Sequence, residues 1–119
     1  MDRNKIGKDA ETQALQYLLT QGLSLITTNY RCRRGEIDII MQDGPTVVFV
    51  EVRLRRHQHY GGALASITHS KQQKIIYTAQ DFLTRHPRFQ QASCRFDVVT
   101  LDSTEALSAP VWYKDAFRL

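Results

Sequence analysis

Gly35–Arg56 reads GEIDIIMQDGPTVVFVEVRLRR, and the rest of the chain is organised around it. Two runs of strand-forming residues flank Asp43-Gly44, a hairpin turn signal, with Pro45 set against the simplest two-residue loop. In the first run Ile37, Ile39 and Met41 alternate with Glu36, Asp38 and Ile40. In the second, Val48, Val50, Val52 and Leu54 share one face, and Val47, Phe49, Glu51, Arg53 and Arg55 share the other. Successive side chains point to opposite sides of a strand, so Glu51 and Arg53 project together. Val47–Val50 is apolar on both faces, as in a central strand covered on both sides. Glu51 follows directly, where a carboxylate is costly unless it is paired or bound to a cation. One reading pairs it with Arg53, Arg55 or Arg56 at a solvated strand end; the other makes it part of a site.

Upstream, residues 4–21 carry apolar residues at helical spacing (Ala10, Ala14, Leu15, Leu18, Leu19), with Gly22 at the C-cap position. The helical neighbours of Glu11 are Gly7, Ala14, Leu15 and Leu18, which puts it on the buried side or its border. It either pairs with Lys8 and solvent or faces a site, with Gly7 leaving room beside it. Leu23–Tyr30 predicts a strand. Arg31, Arg33 and Arg34 then crowd the connection to Gly35, as a solvated loop or as an edge that contacts phosphates. Gly35 is expected to supply the backbone freedom that leads into the next strand.

Downstream, Arg53, Arg55 and Arg56 lead into His57-Gln58-His59-Tyr60-Gly61-Gly62. Two histidines two residues apart lack the rest of a ligand set, so zinc is not expected and the tract reads as a loop. Ser70-x-x-Gln73 has capping-box spacing and opens a helix with Ile75, Ile76, Ala79, Phe82 and Leu83 on its core face, stopped by Pro87. Lys71 and Lys74 sit in its first turns, against the helix dipole, either simply solvated or beside an external anion. Ser93–Leu101 is a further strand with Cys94, Phe96 and Val98 on one face; Asp97 within it is expected to pair with Arg95 or another arginine. Pro110–Leu119 closes the chain as a strand or short helix. The order α-β-β-β-α-β plus a tail predicts an α/β fold with a mixed sheet.

The 119 residues fit one domain, residues 1–119, and 42% apolar with 24% charged is an ordinary globular composition. No run approaches the ~18 apolar residues of a membrane span, and the N-terminus lacks a signal-peptide core, so a cytoplasmic protein without a membrane partner is expected. Cys32 and Cys94 form no CxxC and no zinc spacing. The net charge of +4 permits an acidic partner without requiring one.

The unusual residues converge on one chemistry. Asp38 and Glu51 from adjacent strands, with the Val52 carbonyl, make a partial oxygen cage of the kind Mg²⁺ (or Mn²⁺) accepts, water and substrate phosphate filling the other positions. Such an ion acidifies a bound water and stabilises charge on a phosphodiester under attack. Arg53 is placed to neutralise developing phosphate charge. Arg31, Arg33, Arg34, Arg55, Arg56 and Lys74 are candidates to hold a nucleic-acid backbone.

Gly35-Glu36-Ile37-Asp38 followed by Phe49-Val50-Glu51-Val52-Arg53 resembles the PD-(D/E)XK nuclease motif of the restriction-endonuclease-like fold. More closely, the chain resembles the YraN-type family of small bacterial proteins related to archaeal Holliday-junction resolvases. Gly7-x-x-Ala10-Glu11, Asn29-Tyr30-Arg31, the two segments above, Tyr60-Gly61, Lys71 and Arg95-Phe96-Asp97 occur in the expected order, over nearly the whole chain. The resemblance implies a nuclease-type site in which Asp38 and Glu51 bind metal, Glu11 completes or orients it, and Arg53 takes the place of the motif lysine. Two positions depart from the pattern: arginine stands for that lysine, and Ile37 stands where the motif has proline. Arginine stays protonated and is a poor general base, so Arg53 acts electrostatically, or Lys71 reaches in, or cleavage is weak or lost. The reading is a metal-dependent endonuclease-like protein acting on DNA, with branched or structured DNA in view. The alternatives are a nucleic-acid-binding protein on the same fold that no longer cuts, and a scaffold or dimerisation module. A homodimer is compatible with the resemblance, although no stretch marks an interface.

Overall fold

The computed structural model describes residues 3–55, 67–102 and 110–118. Arg56, the histidine–glycine tract 57–62 and residues 63–66 lie outside the described residues, as do the side chains of residues 3–6, Arg55 and Asp102. The elements are helix α1 (Arg3–Thr20), strands β1 (Ser24–Cys32), β2 (Gly35–Asp43) and β3 (Thr46–Arg55), helix α2 (His69–Arg85), a 3-10 turn at Pro87–Phe89, and strands β4 (Ser93–Asp102) and β5 (Val111–Phe117). The expected order holds, and the closing segment is a strand. Five strands form one mixed sheet in the order β1-β2-β3-β4-β5. β3 and β4 run parallel, with α2 lying between them in the chain, and the other neighbours are antiparallel. This arrangement is compatible with the expected restriction-endonuclease-like core.

Helices cover the two faces, which is why Val47–Val50 is apolar throughout. Val48 and Val50 join Ala10, Ala14 and Leu18 of α1, whereas Val47 and Phe49 join Ile75, Ile76, Ala79 and Phe82 of α2. The alanines bring α1 close to the sheet; Leu19, read as part of its stripe, is exposed instead. No described helix is long and apolar enough to cross a membrane.

Four local expectations are revised. Thr68, not Ser70, caps α2, its side chain accepting from the Lys71 N–H, so Ser70 lies inside the helix. Pro45 does not disturb the hairpin: Asp43 pairs with Thr46 across a two-residue loop in which Gly44 has φ +58°, the sign that a II′ turn requires at its first central position. Ile37 does not share a face with Ile39 and Met41; it packs in the α2 cluster and they pack in the α1 cluster. Gly35 has no positive φ, and its smallness serves another purpose. A Cβ there would lie 3.1 Å from Thr78 Oγ1 and 3.6 Å from Lys74 Cβ. Thr78 cannot retreat easily, because its hydroxyl donates to the Lys74 carbonyl at 2.8 Å and accepts from the Cys32 thiol.

Gly35→Ala is therefore expected to destabilise the protein by about 1–2 kcal/mol, the lower part of the overpacking range, and to displace the first turns of α2. A urea midpoint at or above that of the wild type would contradict this account.

Candidate functional site

The β2–β3 ladder runs from Asp43↔Thr46 to Ile39↔Val50 and ends there. Continued in register, Val52 would face Ile37. Instead its N–H donates to Asp38 Oδ2 at 2.8 Å. β3 remains paired with β4 up to Arg55, and β2 with β1 down to Gly35, so the sheet forks at Asp38. The carboxylate satisfies a backbone donor that the ladder has abandoned. The break in alternation at Ile37 belongs to the same fork.

A cleft of ≈ 640 Å³ opens at the fork. α1 contributes Gly7, Ala10 and Glu11; β2 contributes Glu36 and Asp38; β3 contributes Glu51, Val52 and Arg53; and α2 contributes Lys71 and Lys74. All five residues proposed for catalysis thus line one cavity, together with Val52 and Lys74. Glu11 reaches it from the α1 side and is not on a remote face. Gly7 leaves open space, since a Cβ there would meet nothing within 4 Å.

Glu51 is mostly buried, with 14% of its side chain exposed, and Arg53 Nη2 lies 2.9 Å from Glu51 Oε2. Burial first, then the neighbouring Asp38 charge, pushes the Glu51 carboxyl up to about 9. Asp38 is raised as well, by burial first, against the hydrogen bonds it receives from Glu51 and the Val52 N–H. Two carboxyls in contact cannot both ionise cheaply, so near neutral pH the pair holds one proton between them. A divalent cation supplies the charge that this proton otherwise provides, and two carboxylates beside a backbone carbonyl are a hard-oxygen donor set. The residues fit such an ion.

Glu11 lines the α1 side of the cleft. Its Oε1 accepts from Asn29 Nδ2 at 2.9 Å, and burial raises its pKa against that hydrogen bond. Among the described residues no three His, Cys, Asp or Glu side chains converge into one ligand set. Asn29 is a residue that sequence reasoning missed as a site component. Its φ of +51° inside a strand is a conformation asparagine tolerates better than most residues, and it turns the amide to Glu11.

The arginines divide. Arg31 forms an exposed pair with Glu36 at 2.9 Å, directly across the β1–β2 ladder. Arg33 and Arg34 form the exposed two-residue turn between Cys32 and Gly35, and the Arg34 guanidinium lies 4.6 Å from the centre of the Tyr77 ring on α2. Tyr30 reinforces this junction: its hydroxyl donates to Asp81 of α2 at 2.6 Å, and burial first, then that partner, pushes the phenol up to about 12. The expected Asp97–Arg95 pair is present; Asp97 of β4 lies opposite Val50 of β3 and does not line the cleft.

The sequence model described as "Uncharacterised protein family UPF0102" matches residues 10–101. The chain belongs to the UPF0102 family. This bears out the YraN-type resemblance at the level of family. A UPF0102 protein of Pseudomonas fluorescens is 52% identical over 111 residues, covering 93% of this chain and 91% of its own. Others from Alkalilimnicola ehrlichii (53% over 111 residues; 93% and 85% covered) and Methylobacillus flagellatus (51% over 113; 95% and 96%) are equally similar. The UPF0102 match begins at Ala10 and ends at Leu101, so it spans the Glu11, Asp38, Glu51, Arg53, Lys71 and Lys74 positions of the cleft.

Proposed function

We propose that the protein is a metal-dependent endonuclease-like enzyme that hydrolyses phosphodiester bonds in DNA, with branched or otherwise structured DNA as its substrate. The carrying observation is the Asp38–Glu51 pair, two mostly buried carboxyls at a strand fork, in a cleft that also holds Arg53 beside Glu51 and bears Lys71 and Lys74 on its α2 wall. Asp38, Glu51 and the Val52 carbonyl would hold Mg²⁺ or Mn²⁺, which supplies charge stabilisation and an acidified water. Arg53 pairs with Glu51 and carries positive charge at the reacting phosphate. Lys71 brings an ammonium into the cleft from α2, where Arg53 stands in place of the motif lysine. Glu11, latched by Asn29, orients solvent at the α1 wall. Lys74 at the cleft wall and Arg33 and Arg34 beyond it hold the backbone of the nucleic acid.

A second reading, DNA binding without cleavage, is favoured by the Arg53–Glu51 ion pair. That contact commits the guanidinium to the protein's own carboxylate, and Arg53 Nε is buried with no hydrogen-bond partner among the described residues. The deciding experiment incubates linear, single-stranded, flapped and four-way-junction DNA with Mg²⁺ or Mn²⁺. The wild type is compared with an Asp38→Asn/Glu51→Gln double variant. Cleavage that needs the ion and disappears in the variant supports the enzyme; salt-sensitive binding without cleavage by either ion selects the second reading.

A further inference from the structure

Tyr77 is one of few large apolar or aromatic side chains left open on the described surface, with 44% of it exposed. It lies one helical turn beyond Lys74, which is itself one turn beyond Lys71. Residues three apart are surface neighbours on a helix, so Lys71, Lys74 and Tyr77 form a strip leading up α2 from the cleft, whose wall contains both lysines. Alongside runs the Arg33-Arg34 turn, with the Arg34 guanidinium over the Tyr77 ring. Glu36 at the cleft and Asp81 on α2 are engaged by other partners, Glu36 by Arg31 and Asp81 by Tyr30 and Arg85. The strip is thus cationic, with one aromatic plane at its far end.

We infer that this strip is a single-strand exit track, on which an unpaired DNA base stacks against Tyr77 while Lys71, Lys74 and Arg33 follow the phosphates. The inference rests on the proposed DNA-cleaving site and narrows its substrate to DNA with unpaired nucleotides beside the scissile bond. Phosphate contacts alone need no aromatic. A base in a duplex is stacked on its neighbours and offers no face to a side chain, whereas an unpaired base does, and every base has one. The Arg34 guanidinium over the ring adds its own charge to the stack.

The test measures Kd for a fluorescein-labelled single-stranded oligonucleotide and for the blunt duplex of the same sequence, in EDTA so that nothing is cut. Tyr77→Leu keeps an apolar helix former at an exposed position and removes the π-face; Tyr77→Phe keeps the face. Tyr77→Leu should weaken single-strand binding by about 5- to 150-fold, the value of one stacked base, and leave duplex binding and the salt slope unchanged. Tyr77→Phe should bind like the wild type. Lys74→Ala should make the single-strand salt slope shallower by about 0.7. Single-strand affinity that survives Tyr77→Leu, or a loss shared equally by the duplex, overturns the inference. If Tyr77→Leu is neutral while Asp38→Asn still abolishes metal-dependent cleavage, this inference alone fails. If the wild type binds neither DNA at low salt, it falls together with the proposed function.

Discussion

Asp38→Asn is expected to lose DNA cleavage by more than about 100-fold, since even residues that only support a metal ligand cost 10- to 100-fold, and at the same time to stabilise the metal-free protein. The two effects have one cause. Asparagine keeps an oxygen for the Val52 N–H and offers an amide donor to Glu51. It also removes the second buried negative charge. The sign of the pH dependence follows from the raised Glu51 carboxyl. Between the ordinary glutamate value of 4.5 and about 9, the folded wild type holds a proton that the unfolded chain has released. Stability in EDTA therefore falls as pH rises through that window, with the penalty absent below it and complete above it. In Asp38→Asn the fall should be shallower and the thermal midpoint at pH 8 higher, by roughly 3–5 °C for each kcal/mol relieved. Mg²⁺ or Mn²⁺ should raise the wild-type midpoint more at pH 8 than at pH 6, and should not raise that of the variant. A variant that melts below the wild type in EDTA at pH 8 would remove the charge-pair account of the fork.

The opposite result is expected at the other buried carboxylate. Asp97 is fully buried. It accepts from Arg95 Nε at 3.0 Å, Trp112 Nε1 at 2.9 Å and the Asp115 N–H at 2.9 Å. Arg95 Nη2 also lies 2.9 Å from Asp43 Oδ2, so the group ties β2, β4 and β5 together. Asp115 has φ +52° and adjoins the register shift between β4 and β5, and Asp97 pins it there. Trp112 carries the linkage to α1 through an edge contact with Tyr17. Asp97→Ala leaves the partly buried Arg95 guanidinium half-paired and the part-buried Trp112 Nε1–H and Asp115 N–H without this acceptor, and should cost about 3–5 kcal/mol. Urea unfolding followed by circular dichroism measures this directly, and a loss below about 1 kcal/mol would show the network to be incidental. Acidic residues on neighbouring strands of one sheet therefore have opposite consequences: Asp97 has its donors and holds the fold, whereas Asp38 and Glu51 set two mostly buried carboxyls against each other.

Much of this was legible in the amino-acid order. The two-faced apolar run Val47–Val50 needs helices on both sides, and the 3.6-residue spacing around Ala14 and Phe82 provides them. Glu51 and Arg53 share a face because strand periodicity is local. Glu11 could be placed at an inner helix border for the same reason. Asp97 with Arg95 was legible because both lie on one short strand.

The rest depends on approach between elements distant in the chain, about which local periodicity is silent. Gly35 looked like a conformational hinge, but it is small because Thr78 and Lys74 of α2 pass within van der Waals reach. Ser70 has capping-box spacing, but the helix starts earlier and Thr68 caps it. The Asn29 latch on Glu11 joins residues 18 positions apart. The stacking of Arg34 on Tyr77 exists only because the β1–β2 turn lies against α2. Above all, alternation predicts an unbroken β2, and the fold splits the sheet at Asp38. The sequence by itself determined the element order, the buried faces and the residue types available for chemistry, since these follow from local spacing. Tertiary structure alone decided where the ladder ends, because Val52 trades a backbone partner for the Asp38 carboxylate and so opens the cleft where two helices and two strands bring their charges together.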